Sequence, residues 1–570
     1  MGRLKLFFII ILVLHPLVYA SGQVVIVDQN IQEQPHLETN AHLIFSGQDL
    51  LYWVKVQTSV QKISEIAYVS LFDETGKTWF LHKVAINKEG IGSGNFTIPT
   101  NAKTGNYKLL TYTSWSKNSK KAAYFSQDLI VINPFIPQRE EAKTSNEENP
   151  YTITLKDQPT GFTTDNRYIN LELNTQTYAP REKVQLNLKA ETAALEGNYL
   201  LSVRQVPKAQ PDQETSTSLL HQKNEDKIYS PEIKGELISG FIQTNNTTVD
   251  RSSQLVSLTI PGKNYTFKLT QTNKNGQFIF LLDQPFDTSE ATIQVLSESV
   301  NYSITVDKNT PKPAEKLSFK KVILDPSLGD WITDQSIDLQ IENAYKERVT
   351  DTVSDSIQNQ RFYDPFATRY TLDDYTRFPS MHETFIEVIE LAAMRIDPNQ
   401  VRIRVYNPNP IIRNELDKLA PLIVVDGIQI QDFSLISNLN PVLVNYIDVV
   451  PQQYRYGPKI FGGIIAITTK ENDFKLPENT PNTLNFELLS PIKNAEFEAK
   501  NYQNSTDFSR IPDYRTQLYW NPEVKVTQQP QQIAFYTSDK QGTFEATLTG
   551  YNASGEKVLV KKTFSVTTEQ

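Results

Sequence analysis

The chemistry open to this chain is narrow. Its 570 residues include no cysteine and six histidines. Thiolate nucleophiles, thiolate metal sites, disulfides, internal thioesters and a lipid-modified N-terminal cysteine are therefore excluded. His382-Glu383-Thr384-Phe385-Ile386 opens as a zinc-binding helix would. Two histidines must sit four residues apart to share the metal, however, and Ile386 fills the second position. His382 and Glu383 thus read as solvent-facing residues of an amphipathic helix. Asp373-Asp374 with Glu383 and Glu387 gathers carboxylates, but without the alternate-residue spacing of a calcium loop, so solvated side chains are the plainer account. Gly90-Ile91-Gly92-Ser93-Gly94 lacks both the third-glycine spacing and a βαβ setting for a phosphate cradle, and reads as a hairpin turn. No Gly-x-Ser-x-Gly elbow or Gly-Lys-Ser/Thr loop occurs. The expectation is a non-enzymatic protein with no cofactor and no metal.

The residues best suited to recognition are aromatic. Phe362, Tyr363, Phe366, Tyr370, Tyr375 and Phe378 crowd one loop-like stretch, and such rings can stack on a glycan or grip a peptide. The competing account is that they anchor a seam between neighbouring domains. Nucleic acid is not an expected partner: Lys and Arg number 56 against 65 Asp and Glu, a net charge of −9, with no basic block.

These residues must be held by folded domains, and the composition supports several. Hydrophobic residues make up 39% of the chain and aromatics 10%, enough to build cores. Residues 1–20 read as a signal peptide: Arg3 and Lys5, then the apolar run Leu6 to Leu14, then Val18-Tyr19-Ala20 as a cleavage site. No other stretch approaches 18 apolar residues. Residues 21–135 alternate strand and turn, with Asp73-Glu74-Thr75-Gly76-Lys77 as a hairpin turn. Residues 136–150 form a charged linker. In 151–227 a second β segment alternates through Ile169, Leu171 and Leu173, then Val184, Leu186 and Leu188, before a polar loop from Pro207. Its corner Tyr178-Ala179-Pro180-Arg181-Glu182 matches Phe45-Ser46-Gly47-Gln48-Asp49, a weak internal repeat of one sandwich type. Residues 228–310 form a third β unit with the turn Asn273-Lys274-Asn275-Gly276. Residues 311–400 connect onward through one helix. It starts at Pro379 and is marked by Met381, Phe385, Val388, Ile389 and Ala392. In 401–474, Leu422-Ile423-Val424-Val425 and Ile464-Ile465-Ala466-Ile467 read as strands buried on both faces, with a short helix across Leu435 to Tyr446 between them. Residues 475–570 close the chain as a terminal sandwich.

Several of these stretches resemble known modules. Gly94-Asn95-Phe96, Gly105-Asn106-Tyr107 and Val131-Ile132-Asn133-Pro134-Phe135 resemble the macroglobulin-type sandwich of exported Bacteroidetes proteins. Gly235-Glu236-Leu237-Ile238-Ser239-Gly240 with Asn275-Gly276-Gln277-Phe278 is similar to the carboxypeptidase regulatory-like domain. Pro421 to Gly427, Ile447-Asp448-Val449-Val450, Tyr456-Gly457 and Gly463 to Lys470 resemble, in order and spacing, the plug domain of TonB-dependent receptors. The plug-motif positions are Asp426, Gly427, Gly457 and Gly463. Asp351-Thr352-Val353 and Asp355-Ser356-Ile357 match the O-glycosylation pattern of that bacterial group, with Thr352 and Ser356 as acceptors.

The resemblance implies a mainly β fold: tandem Ig/macroglobulin-like β-sandwiches plus a small α+β plug-like domain. A receptor barrel needs roughly 220 residues, and 96 follow Phe474. The expected function is that of a binding or scaffold protein, exported and associated with the outer membrane on its periplasmic or surface side. It would be accessory to a β-barrel transport, assembly or secretion machine. Two alternatives stand beside it: a barrel-less partner in TonB-dependent uptake of glycan or peptide, and a macroglobulin-like protease trap or adhesin.

Overall fold

A computed structural model describes residues 32–568, apart from 59–63, 120–122, 137–148, 157–168, 222–228, 247, 285, 287, 298–299, 309, 314–315, 346–360, 364, 490, 493–496, 498, 503–510 and 553. Strands dominate it, arranged in β-sandwiches with one α+β unit, as the sequence pattern leads one to expect.

In the first sandwich, the sheet Glu33–Thr39, Asp49–Thr58, Ile91–Thr97 packs on a second sheet. That second sheet runs Tyr124–Ile132, Gly105–Thr113, Ile66–Phe72, Thr78–Ala85. Alternating inward residues such as Leu50, Tyr52, Val54, Val69, Leu109 and Val131 form the core between them. The Asp73 turn is a hairpin: Gly76 takes φ +80°, and the Asp73 carboxylate accepts from the backbone N–H groups of Thr75 and Lys77, both at 3.0 Å.

The largest departure from the sequence reading concerns 151–227 and 475–570, taken there as separate units. Residues from both build one sandwich. Lys183–Ala190 pairs antiparallel with Gln531–Tyr536, and Gly197–Gln205 lies between Gln517–Val526 and Gly542–Tyr551. Their inward side chains share one core, with Leu186, Leu201 and Val203 meeting Phe535, Phe544 and Leu548. Alternation shows that a strand has a buried face but does not encode which distant strand completes it. The supposed loop after Pro207 is also structured. Ala209–Pro211 joins a three-stranded sheet with Tyr151–Leu155 and Val322–Leu324, while Thr217–Leu220 extends the first sandwich along Tyr124–Ile132.

The repeated corner has a structural counterpart in each sandwich. Leu43–Phe45 runs parallel to Tyr124–Ile132, and Thr177–Tyr178 runs parallel to the final strand Lys557–Val566. Each short strand then turns through a positive φ, at Gly47 (+87°) and Arg181 (+61°), into the long strand Asp49–Thr58 or Lys183–Ala190. Both sandwiches thus enter their cores by the same device.

The middle sandwich comprises Glu236–Gln243, Gln277–Leu282 and Ser303–Val306 in one sheet. Leu255–Ile260, Thr266–Gln271 and Glu290–Val295 form the other, which Thr483–Glu487 joins from beyond residue 474. Between Val306 and Thr483 lies the α+β unit. Its sheet order is Thr368–Thr371, Val444–Val450, Ile464–Thr469, Leu422–Val425, Ile428–Gln429, with the hairpin Ala392–Asp397 / Gln400–Val405 beside it. The two apolar runs pair in parallel and are buried throughout, as read.

Helices differ more from expectation. The helix begins after Ser380, whose hydroxyl caps it by accepting from Glu383 N–H at 3.2 Å, and spans only Met381–Glu387. Ala392 already belongs to the next strand. The segment read as a helix from Leu435 is α-helical only at Ser434–Ser437; a 3₁₀ turn at Pro441–Leu443, capped by Asn440, follows before Val444 enters the sheet. The longest helix among the described residues, Gly329–Tyr345, has no clear apolar stripe. Trp331, Ile332 and Leu339 alone pack on the apolar cluster around Phe45 and Tyr151.

Candidate functional site

The aromatic segment leads into the α+β unit along Thr368–Thr371, and its rings separate into three environments. Phe362 and Tyr363 lie in a seam against the middle sandwich. Phe362 packs 5.5 Å from Phe267 and 4.5 Å from Tyr456, centroid to centroid, and Tyr363 is fully buried. Tyr370 and Phe378 pack in the core of their own unit with Met381, Phe385 and Ile447. Phe366 and Tyr375 are exposed. The six residues do not form one surface: Phe362 and Tyr363 join domains, Tyr370 and Phe378 fill a core, and Phe366 and Tyr375 face outward.

The seam is polar as well as apolar at its centre. Asp448 occupies the strand Val444–Val450 and is almost fully buried. Its carboxylate accepts from Arg369 Nε at 2.7 Å and Nη2 at 2.8 Å, from Arg361 Nη1 at 3.3 Å, and from the Tyr363 hydroxyl at 3.1 Å. Such a fork-to-carboxylate pair is directional and holds planar groups in register. The Arg369 guanidinium also lies 3.9 Å from the Tyr446 ring centroid. Hydrogen bonding to Asp448 raises Arg369 above its ordinary value. Burial pushes the Tyr265 hydroxyl, 3.4 Å from that of Tyr363, up to about 12. The cluster ties Arg361, Tyr363 and Arg369 to the strand Val444–Val450.

All four plug-motif positions serve packing. Asp426 is buried with φ +49° and ties two segments together. Its carboxylate accepts from Thr469 N–H at 2.9 Å, Thr469 Oγ1 at 2.6 Å and Phe474 N–H at 3.1 Å. Gly427, at φ +85°, sits so close to Tyr265 that a Cβ would collide with the ring. Its carbonyl accepts from Thr259 Oγ1 at 2.8 Å. Gly457 faces the Leu269 carbonyl of the same sandwich, whereas Gly463 lies inside its own unit against Val450 and Val405. Asp426-Gly427 and Tyr456-Gly457 are thus two turns that seat the α+β unit on the strands Leu255–Ile260 and Thr266–Gln271.

Other candidates fall out plainly. Glu383 is exposed and His382 half-buried on the short helix, where Ile386 is 60% exposed. Asp373 pairs with Arg377. Among the described residues no group of three or more His, Asp or Glu could hold a metal ion. Gly92 and Gly94 lie within the strand Ile91–Thr97, so the glycine-rich stretch is a turn only at Gly90. A side chain at Gly92 would strike Val84, and one at Gly94 would strike Tyr52. Thr352 and Ser356 lie outside the described residues. Sequence reasoning missed Arg361, Arg369 and the role of Asp448. The signal was present: one carboxylate inside the run Val444-Asn445-Tyr446-Ile447-Asp448-Val449-Val450 requires a cation when buried.

No protein-family model and no curated protein matches the chain. Among solved structures, Escherichia coli alpha-2-macroglobulin activated by porcine elastase aligns with 94% of this chain and 44% of its own, at 9% identity and TM-score 0.23. Salmonella alpha-2-macroglobulin reacted with methylamine aligns with 94% and 39%, also at 9% and 0.23. Dimeric latent PorU from Porphyromonas gingivalis aligns with 52% and 34%, at 10% and 0.15. The chain spans less than half the length of each of these structures.

Proposed function

We propose that this chain is a non-enzymatic binding or scaffold protein of the cell envelope. In this reading it docks on a β-barrel transport, assembly or secretion machine of the outer membrane through its α+β unit. The observation that supports docking is the distribution of exposed apolar side chains. Nine of the nineteen large ones among the described residues lie between Phe366 and Ile460. Ile411 is 76% exposed, and Val442 and Leu443, neighbours in sequence, are each 54% exposed. Exposed apolar groups on this unit are the contacts that a docking protein would cover. The resemblance of this unit to a receptor plug is what directs the reading to a barrel partner.

Crosslinking of intact cells, followed by purification from the outer membrane, tests it. A β-barrel protein should co-purify with the wild-type chain, and its yield should fall with Ile411→Asp and Leu443→Asp together. Recovery of the chain alone would sink the proposal.

A further inference from the structure

A cleft of about 200 Å³ lies beside the hairpin Ala392–Asp397 / Gln400–Val405. Four consecutive residues, Arg402, Ile403, Arg404 and Val405, line one wall. Successive side chains of a strand point to opposite faces, so four in a row border one cleft only along the strand's edge. That edge is open. Gln400–Val405 pairs with Ala392–Asp397 alone, in a two-stranded sheet. Tyr406 N–H donates to the Leu391 carbonyl at 2.7 Å, which continues the ladder and sets its phase. Arg402 and Arg404 therefore direct their backbone groups at the partner strand, while Val401, Ile403 and Val405 direct theirs outward, to the cleft. Among the described residues, the backbone groups of these three have no hydrogen-bond partner on that side.

The rest of the lining decides what kind of segment fits. Leu416, Leu419 and Phe433 supply apolar surface, and Asp417 and Lys418 are exposed beside them. Ile403 and Val405 turn their side chains into the core of the unit, whereas Arg402 and Arg404 are exposed on the opposite face. Three cations thus border the cleft against one anion. Arg402 shares Asp397 with Arg395, and Lys418 lies 2.7 Å from Glu415. Arg404 is less engaged, reaching Asp417 only at 3.7 Å. Residues 391–421 hold five Lys and Arg against three Asp and Glu, in a chain whose net charge is −9.

An unpaired strand edge, a cleft along it and a local excess of cations match one kind of ligand. We propose that this edge takes up an extended acidic segment of another protein as a third strand. The main chain of that segment would bond to the outward groups of Val401 and Ile403, as an open edge invites. The pleat then fixes a pattern. Acidic residues at alternate positions meet Arg402 and Arg404, and the residue between them shares the face of Ile403 and is apolar. The site is independent of docking on a barrel, since neither Ile411 nor Leu443 lines the cleft.

The test uses the full chain and the pentapeptide Thr-Glu-Val-Glu-Thr, acetylated and amidated, titrated by saturation-transfer NMR. The peptide should bind, and more weakly at about 0.15 M salt than at about 0.01 M, because exposed charges are screened. Arg404→Gln should weaken it by about threefold. The Arg404 side chain is 55% exposed, so the melting temperature should stay that of wild type. Arg455→Gln removes the same charge from an exposed position on the strand Tyr454–Tyr456 and should leave binding unchanged. N-methylation of the peptide at its valine and second glutamate keeps the charge but removes two N–H donors, and should weaken binding by about tenfold. No binding at millimolar peptide would overturn the proposal, as would undiminished binding of the N-methylated peptide or undiminished binding to Arg404→Gln. Tighter binding of a disulfated disaccharide, equal to the peptide in charge, would overturn it too, because charge alone would then account for the site.

Discussion

Gly427 and Asp448 show how much of the seam depends on single side chains. At Gly427 an alanine would have to hold a left-handed backbone and press its methyl group into Tyr265. Strained φ and overpacking each cost about 1–3 kcal/mol, so Gly427→Ala should destabilise the α+β unit and its seam by about 2–4 kcal/mol. Urea unfolding checks this, and pairing the change with Tyr265→Ala should recover part of the loss by making room. Asp448→Asn would leave Arg361 and the Tyr363 hydroxyl without their anion. Breaking a buried pair costs about 3–5 kcal/mol. The Arg369 side chain is 49% exposed, so water takes part of its charge, and about 2–3 kcal/mol is expected. A variant within about 0.5 kcal/mol of wild type would show that the cluster does not hold the seam.

Individual elements carry their own dependence on conditions. The strand Thr78–Ala85 holds His82, whose ring packs 4.4 Å from Phe80 at a tilt and whose Nδ1 lies 2.8 Å from the Tyr52 hydroxyl. Burial pushes its imidazole down to about 4. A folded value below the unfolded one means that the stabilisation is complete above about pH 6.5 and is lost as pH falls through about 4. Burial also lowers His36 and His42, in the same direction. Thermal melts should therefore show the first sandwich losing roughly 2 kcal/mol between pH 7 and 4, with a shallower slope in His82→Phe. An unchanged slope in that variant would remove His82 from the account. Legibility in the sequence follows the range of the interaction that decides each element. The Asp73 turn and the buried run Leu422–Val425 were readable because a carboxylate, a glycine or an unbroken apolar stretch specifies them locally. The helix Gly329–Tyr345 was not, because its few contacts are to parts far away in sequence. Of the candidate site, rings suited to anchoring were legible, but their division between seam, core and surface was not. Phe362 and Tyr370 differ only in which tertiary neighbours reach them.

Seen whole, the chain is a set of insertions. The α+β unit interrupts the middle sandwich, and both interrupt the split sandwich between Gln205 and Gln517. Alternation at either end of the split sandwich was visible in sequence; that the ends belong together depends on pairing across roughly 310 residues, which no local pattern records. A chain ended at residue 476 should therefore lose amide protection at Lys183–Ala190 and Gly197–Gln205 in hydrogen exchange, while Leu422–Val425 keeps its own. Protection surviving in the first two strands would contradict the shared core. The nesting also dictates an order of events as the polypeptide leaves the ribosome. Strands 169–205 are synthesised with one face uncovered and wait for partners made roughly 310 residues later. Closing so long a loop is slow in a flexible chain, and the inner units shorten it by folding first and bringing their ends together. Until then the waiting strands are open to the C-terminal strands of a second molecule, so refolding at high concentration should yield strand-exchanged dimers alongside monomers.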